Sequence, residues 1–249
     1  MNIWAIADLH LALTLPEKDM SFFGPSWKDY VEKISTQWKE LVSDNDLVLI
    51  AGDISWAMKL DEAKEDLAWI DSLPGKKVLL KGNHDYWWPT SAKLEKLLPP
   101  SISFVYSSAF TYKGVAVAGA RLWDHPEINY SSYITFQDNP RQKKKAKVSQ
   151  TQIMATFEKE LLRLERTLKT MPDNADLKIV MTHYPPVDEA GTVSSVTSLL
   201  KQYGINICVF GHLHNVNQAK FPSLCFDQIP YYLTSADFLN FKPIKIATL

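Results

Sequence analysis

Five short apolar runs stop at polar clusters. Residues 2–7 (NIWAIA) end at Asp8-Leu9-His10, and residues 47–51 (LVLIA) end at Gly52-Asp53. Residues 77–80 (KVLL) lead to Gly82-Asn83-His84-Asp85, residues 177–181 (LKIVM) to Thr182-His183, and residues 205–210 (INICVF) to Gly211-His212-Leu213-His214. Apolar runs of this length, bounded by turn-forming residues, read as buried strands. Between the first three lie stretches of helical period. Residues 26–42 place Trp27, Tyr30, Val31, Ile34, Trp38, Leu41 and Val42 near one face, and residues 60–73 do the same with Leu60, Ala63, Leu67, Ile70 and Leu73. Strand alternating with helix predicts crossover units and a largely parallel sheet.

The middle of the chain breaks this rhythm. Residues 103–120 hold short β-prone pieces (FVY, FTY, VAVAGA) and read as hairpin or sandwich structure. Residues 121–142, rich in Asn, Ser, Pro and Tyr, are longer than an ordinary connection, and long loops of this kind are often lids or binding loops. Residues 146–168 read as one amphipathic helix with Ile153, Phe157, Leu161, Leu164 and Leu168 on one face. No repeat or linker divides the chain. The expectation is one domain over residues 1–249 with a cleft-side insertion around 121–147.

Charge and composition narrow the class. With 27 basic and 28 acidic residues the net charge is -1, which argues against a nucleic-acid partner. Asp8 and His10 interrupt the apolar N-terminal segment, which speaks against a signal peptide, and no run approaches the ~20 residues of a membrane span. Cys208 and Cys225 sit in apolar strand-like runs, where buried, unpaired thiols are expected. A reducing, cytoplasmic location follows as an expectation. The sequence leaves the oligomeric state open.

The chemistry lies at the strand ends. In open α/β sheets the ligand site forms beyond the carboxyl ends of the strands. That rule brings Asp8, His10, Asp53, Asn83, His84, Asp85, His183, His212 and His214 to one rim. Five of the six histidines fall in these clusters. Carboxylate, imidazole and amide donors without thiolates suit Mn, Fe or Zn and disfavour a structural zinc site. The number of donors suits two divalent ions better than one. Paired ions ~3.5–4 Å apart can hold a bridging hydroxide and clamp a phosphoryl group.

The ordered set DLH, GD, GNHD, H and GHLH resembles the calcineurin-like metallophosphoesterases, over Asp8 to His214. The resemblance implies an α/β fold, a four-layer α/β/β/α sandwich of two facing mixed sheets flanked by helices. It implies one metal on Asp8, His10, Asp53 and His214, and a second on Asp53, Asn83, His183 and His212, with Asp53 bridging. His84 matches the family's catalytic histidine, and Asp85 the residue that orients its ring. The implied reaction is attack on phosphorus by the metal-bridging hydroxide, with a small phosphoester as substrate. The protein Ser/Thr phosphatases of the superfamily carry an arginine in GDxVDRG and in RGNHE. Here GDISWAM and KGNHDYWW lack both, so a bidentate phosphate clamp is missing. A phosphodiesterase or nucleotide pyrophosphatase is therefore expected ahead of a phosphomonoesterase. The rival of another class is a non-catalytic, protein-binding scaffold. The presence of His84 disfavours it, since the retromer subunit of this fold lacks that residue.

Substrate contacts are less sharply marked. Trp56, Tyr86 and Trp87 adjoin ligand motifs and could wall a cleft; Trp88 and Tyr184 share their ambiguity with core packing. Arg121 could replace the missing phosphate arginine or sit in a salt bridge. His125 reads as an exposed loop histidine. The basic run 141–147 (RQKKKAK) reads as a solvated helix start, with a polyanion patch the lesser reading. The loop 124–140 is expected to line the cleft and set specificity.

Overall fold

The computed structural model describes residues 1–135, 148–191 and 194–249. Residues 136–147, which include the basic run 141–147 and the end of the insertion, lie outside these. Eleven strands among the described residues form two mixed sheets. In the first, β1 (Asn2–Ile6), β2 (Leu47–Ile50), β3 (Lys76–Leu80) and β4 (Ile102–Val105) run parallel, and β11 (Ile244–Thr248) pairs antiparallel with β1. In the second, β6 (Val115–Ala120), β7 (Leu177–Thr182), β8 (Ile207–Phe210) and β10 (Ile229–Leu233) run parallel. Its antiparallel edges are β5 (Phe110–Tyr112) and β9 (Leu224–Phe226).

Alternation along each strand sorts side chains into three layers of core. Ile3, Ala5, Leu47, Leu49 and Val78 of the first sheet meet Val117, Ile179, Met181 and Val209 of the second between the sheets. The intervening residues Trp4, Ile6, Val48 and Ile50 face outward onto α1 (Tyr30–Leu41), α2 (Leu60–Asp71) and α3 (Ser91–Leu97). On the far side, Ala116, Ala118, Val180 and Phe210 pack on α4 (Gln150–Leu168) and α5 (Ser195–Gln202). This is the expected α/β/β/α sandwich. Burial on both faces of each sheet is why the strands read as continuous apolar runs rather than as alternating ones.

Several boundaries differ from the pattern, each for a local reason. The first helix starts at Tyr30, not 26, because Lys28 is extended and Asp29 is left-handed (φ 55°), separating it from a 3-10 turn at Pro25–Trp27. The fourth helix starts at Gln150, where Ser149 accepts the Gln152 N–H and the Gln152 side chain accepts the Ser149 N–H, a capping box. The β-prone stretch 103–120 divides between sheets: β4 extends the first, while β5 and β6 form a hairpin at the edge of the second. The hairpin turns at Lys113-Gly114, both at positive φ (45° and 83°), as a two-residue turn between twisted strands requires. Cys208 is buried as expected. Cys225 is exposed, because β9 is an edge strand.

Asp46 fastens the first sheet to its loops. Its carboxylate accepts the Asn2 N–H (2.7 Å), the Trp4 indole N–H (3.1 Å) and the Ser43 N–H (3.1 Å). Burial pushes its pKa up, but these donors outweigh that and hold it below the ordinary carboxylate value. A depressed folded-state pKa gives stability that is present above the unfolded value of ~3.9 and is lost as pH falls through the folded value. Asp46→Asn should lower stability at pH 7 by ~1–3 kcal/mol. It should also flatten the fall in urea midpoint between pH 5 and pH 3. An unchanged acid limb in the variant would contradict the assignment.

Candidate metal centre

The strand ends bring the predicted donors together through strained backbone. Asp8 (φ 57°), His10 (45°), Asp53 (51°) and His212 (72°) are all left-handed, a conformation that costs a non-glycine residue on the order of 1 kcal/mol. Pairing continues past the ends of β1 and β2 and offsets part of that cost. The Asp8 N–H donates to Gly52 O (2.9 Å), His10 N–H to Asp53 O (3.0 Å) and Leu11 N–H to Ile54 O (2.9 Å). Two glycines are demanded by close approach. A Cβ on Gly52, itself at φ 97°, would stand 2.5 Å from His183 Nδ1, and one on Gly82 would run into the Asp53 carboxylate.

Two groups of donors overlap at Asp8. Asp8, His10 and His214 offer ligand atoms within 4.8 Å of one another, and so do Asp8, Asp53 and His183. His10 Nε2 is 3.1 Å from His214 Nε2, and His183 Nε2 is 3.4 Å from Asp53 Oδ2. Asp53 Oδ2 is also 3.8 Å from His10 Nε2, so this oxygen stands between the two groups. Asn83 Oδ1 lies 2.8 Å from His183 Nε2 and 3.1 Å from His212 Nδ1. Two donors bound to one ion at ~2.1 Å and cis angles stand roughly 3.0–3.4 Å apart. The contacts cluster around that spacing.

The donors fit a cation on a second count. Asp8 Oδ1 is buried with no hydrogen-bond partner, 3.7 Å from His214 Nε2 and 4.0 Å from His183 Nδ1. A buried carboxylate oxygen left so is costly unless a positive charge reaches it. Neighbours also select which ring nitrogen faces inward. His183 Nδ1 lies 3.0 Å from Ala51 O, which leaves Nε2 for the cluster. His214 Nδ1 lies 2.9 Å from Asp237 Oδ1, and the other Asp237 oxygen accepts the Asn215 N–H (2.8 Å). Asp237 was not found by sequence reasoning. It follows the apolar run of β10 by a few residues, so the strand-end rule that located the other acids applies to it as well.

The remaining candidates sort by position. The His84 backbone N–H donates to Asp53 Oδ1 (2.8 Å), and its ring lies 4.4 Å from that of Trp56 and 5.8 Å from that of His10. Trp56 is stacked on His10 at 4.8 Å. Tyr86, 55% exposed, approaches His84 edge-on at 6.3 Å. Trp87 and Trp88 are core residues. Trp87 was expected among the substrate contacts, but it is 2% exposed and its indole N–H donates to Asp85 (2.9 Å). Asp85 accepts further bonds from Ile54, Ser55 and Gly82 N–H (2.9, 3.2 and 2.8 Å), so it ties the Asp53 loop to the Asn83 loop. Tyr184 is buried against the His212 ring. Arg121 pairs with Glu160 and lies over Trp123. His125 is half-buried against Phe157 rather than free in solvent.

Clustered histidines beside buried carboxylates on the carboxyl rim of an α/β/β/α sandwich define a metallophosphoesterase-type site. Comparison with known proteins makes this specific: residues 1–216 match the calcineurin-like phosphoesterase family, and the chain belongs to it. Members of this family typically bind two divalent metals. The Gene 66 protein of Mycobacterium phage D29 is 30% identical over 115 residues, which is 46% of this chain and 53% of that protein. Its counterpart from Mycobacterium phage L5 is 29% identical over 97 residues, 39% of this chain and 46% of that protein. The chain thus spans about half the length of these phage relatives. A phosphopantetheinyl hydrolase from Mycobacterium tuberculosis shares the fold, with a TM-score of 0.52 at 16% identity over 94% of this chain and 88% of that one.

Electrostatics links metal binding to protons. Burial alone would lower the pKa of His183, but the Asp53 carboxylate outweighs it and holds the imidazole at about 9. Burial opposes protonation of His214 too, and Asp237 lifts it to about 9. Burial keeps His10 and His212 well below the ordinary value. At pH 7 the metal-free chain therefore holds extra protons on His183 and His214 that a metal must displace. Calorimetry of Mn²⁺ binding in buffers of different ionisation enthalpy should show release of about two protons, with affinity rising from pH 6 to 9. Affinity flat across that range would contradict this. Asp237→Asn should weaken Mn²⁺ binding ~10–100-fold without unfolding the chain. An unaltered isotherm would remove Asp237 from the site.

Proposed function

We propose that the chain hydrolyses a phosphodiester or pyrophosphate bond, with Asp8, His10, Asp53 and His214 holding one divalent ion and Asp53, Asn83, His183 and His212 the other. The observation that carries this reading is the convergence of seven donor side chains from five strand ends, with His84 beside the cluster. The nitrogen and oxygen donor set suits Mn, Fe or Zn. When bound, the pair of ions neutralises phosphoryl oxygens and acidifies water.

The chain's own residues then have separable tasks. His84 is set by its backbone bond to Asp53 and by the Trp56 ring, where its imidazole can give a proton to the leaving oxygen. Asp85 fixes the loops on either side of it through the four N–H groups it accepts from. Trp56 and Tyr86 flank His84 and offer aromatic faces to an aryl or nucleobase leaving group. The diester preference is favoured because Arg121, the sequence's candidate for replacing the phosphate clamp at the scissile group, pairs with Glu160 in a cavity that none of the seven donors lines. Residues 121–135 of the insertion are assigned in this reading to the cleft wall. Within them, Thr135 N–H donates to Asn215 O (3.0 Å) and Tyr133 O accepts the Asn217 N–H (2.9 Å), tying them to the loop that carries His212 and His214.

Hydrolysis of bis(4-nitrophenyl) phosphate with added Mn²⁺ tests the reading. The wild-type chain should turn over this diester faster than 4-nitrophenyl phosphate. His84→Ala should lose ~10²–10⁴-fold in kcat while retaining two equivalents of metal. Full activity in that variant, or loss of its metal, would defeat the role given to His84.

A further inference from the structure

A second charged cluster lies on the same rim, beside the strand end that leads to Asn83. Leu80 ends β3, Ala120 ends β6 and Tyr106 follows β4, and together with α4 they enclose a cavity of about 230 Å³. Lys81, Arg121 and Arg163 line it, around Glu160. None of the seven candidate metal donors does. Glu160 sits on the inward face of α4 between Phe157 and Leu164 and is only 4% exposed. One of its oxygens takes both guanidinium groups, Arg121 at 3.3 Å and Arg163 more closely. Its other oxygen and the Arg121 Nε are buried and have no hydrogen-bond partner.

The arithmetic of charge separates this cluster from a structural ion pair. Three cations against one carboxylate leave two positive charges facing a cavity. Both guanidinium groups lie over aromatic rings, Arg121 over Trp123 at 4.6 Å and Arg163 over Tyr106 at 4.8 Å. Guanidinium forks placed in this way present parallel N–H donors suited to a phosphate or carboxylate. The volume falls below the ~300–1,000 Å³ of sites for drug-sized ligands, so it suits a compact anionic group rather than a whole nucleoside. The site also adjoins the metal centre. Lys81 is two residues from Asn83, within roughly 7 Å along the chain, and Arg121 O accepts the His183 N–H (3.1 Å).

We propose that Lys81, Arg121 and Arg163, preorganised by Glu160, form an anion subsite for a phosphoryl dianion that the substrate carries in addition to the phosphorus being hydrolysed. Glu160 would then serve as the positioning residue that turns both arginines to the cavity. The substrate half of this proposal rests on the phosphoester-hydrolase reading; the anion site itself does not.

Two measurements separate the cases. First, inorganic phosphate is titrated calorimetrically into the chelator-treated protein. The wild type should bind one equivalent, Arg163→Met should bind at least ~10-fold more weakly, and Arg163→Lys should fall between, because charge survives while the fork is lost. Circular dichroism checks that each variant is folded. Absence of binding, or binding unaltered by Arg163→Met, overturns the subsite whatever the enzyme does. Second, thymidine 5′-(4-nitrophenyl phosphate) is compared with and without a 3′-phosphate under Mn²⁺. The ratio of kcat/KM between the two should favour the 3′-phosphorylated diester and fall ~10-fold in Arg163→Met. Phosphate binding with a ratio that does not change overturns the substrate assignment and leaves a free-anion site. If neither diester is hydrolysed, the hydrolase reading fails, while the calorimetric result still decides the subsite.

Discussion

The carboxylates of Asp8 and Asp53, buried side by side at the ends of β1 and β2, set the terms for everything around them. Buried negative charge is tolerated only when it is paired. Here imidazoles from the far sheet and backbone N–H groups supply part of the compensation, and Asp8 Oδ1 still lacks a partner. The left-handed ligand residues, the glycines that permit close approach and the continued pairing of the β1 and β2 exits all serve to hold these two oxygens in place. The strain is affordable because the sandwich beneath is fully packed, with apolar side chains on both faces of each sheet.

Much of this could be read from the chain before any coordinates. The apolar runs ending in Asp8, Asp53, Asn83, His183 and His212 were recognisable because strands buried on both faces need no alternation, and the polar residue that stops each run is the one that reaches the rim. The resemblance of the five motifs to the calcineurin-like metallophosphoesterases supplied the four-layer fold, which periodicity alone did not. Less legible was anything determined across space. Asp237 follows a strand whose run is interrupted by Pro230 and two tyrosines, so that strand end does not stand out. Trp87 and Tyr86 are neighbours in sequence with opposite fates, one buried beneath Asp85 and the other at the surface, because a turn rather than a regular element carries them. The break between β4 and the β5–β6 hairpin was hidden for a similar reason: local pattern says strand, and only packing says which sheet.

Glu160 and Arg121 show how a functional cluster can hide inside a structural one. An acid on the buried face of an amphipathic helix breaks the pattern that predicts the helix, and such a break is where a specific role is to be sought. Around the metal centre, carboxylates are few and imidazoles gather on them. Around Glu160 the balance is reversed, with cations in excess. A substrate whose anionic groups are distributed between two such neighbours would be oriented as well as bound, and orientation is a large share of what a rigid site contributes to rate.

Whether five strand ends share one pair of metal ions can be read spectroscopically. Electron paramagnetic resonance of the chain loaded with Mn²⁺ addresses it directly. The wild-type chain should bind two equivalents with the spectrum of an exchange-coupled pair, replaced by an uncoupled signal in Asp53→Ala. A spectrum of isolated ions in the wild-type chain at full loading would contradict a shared pair.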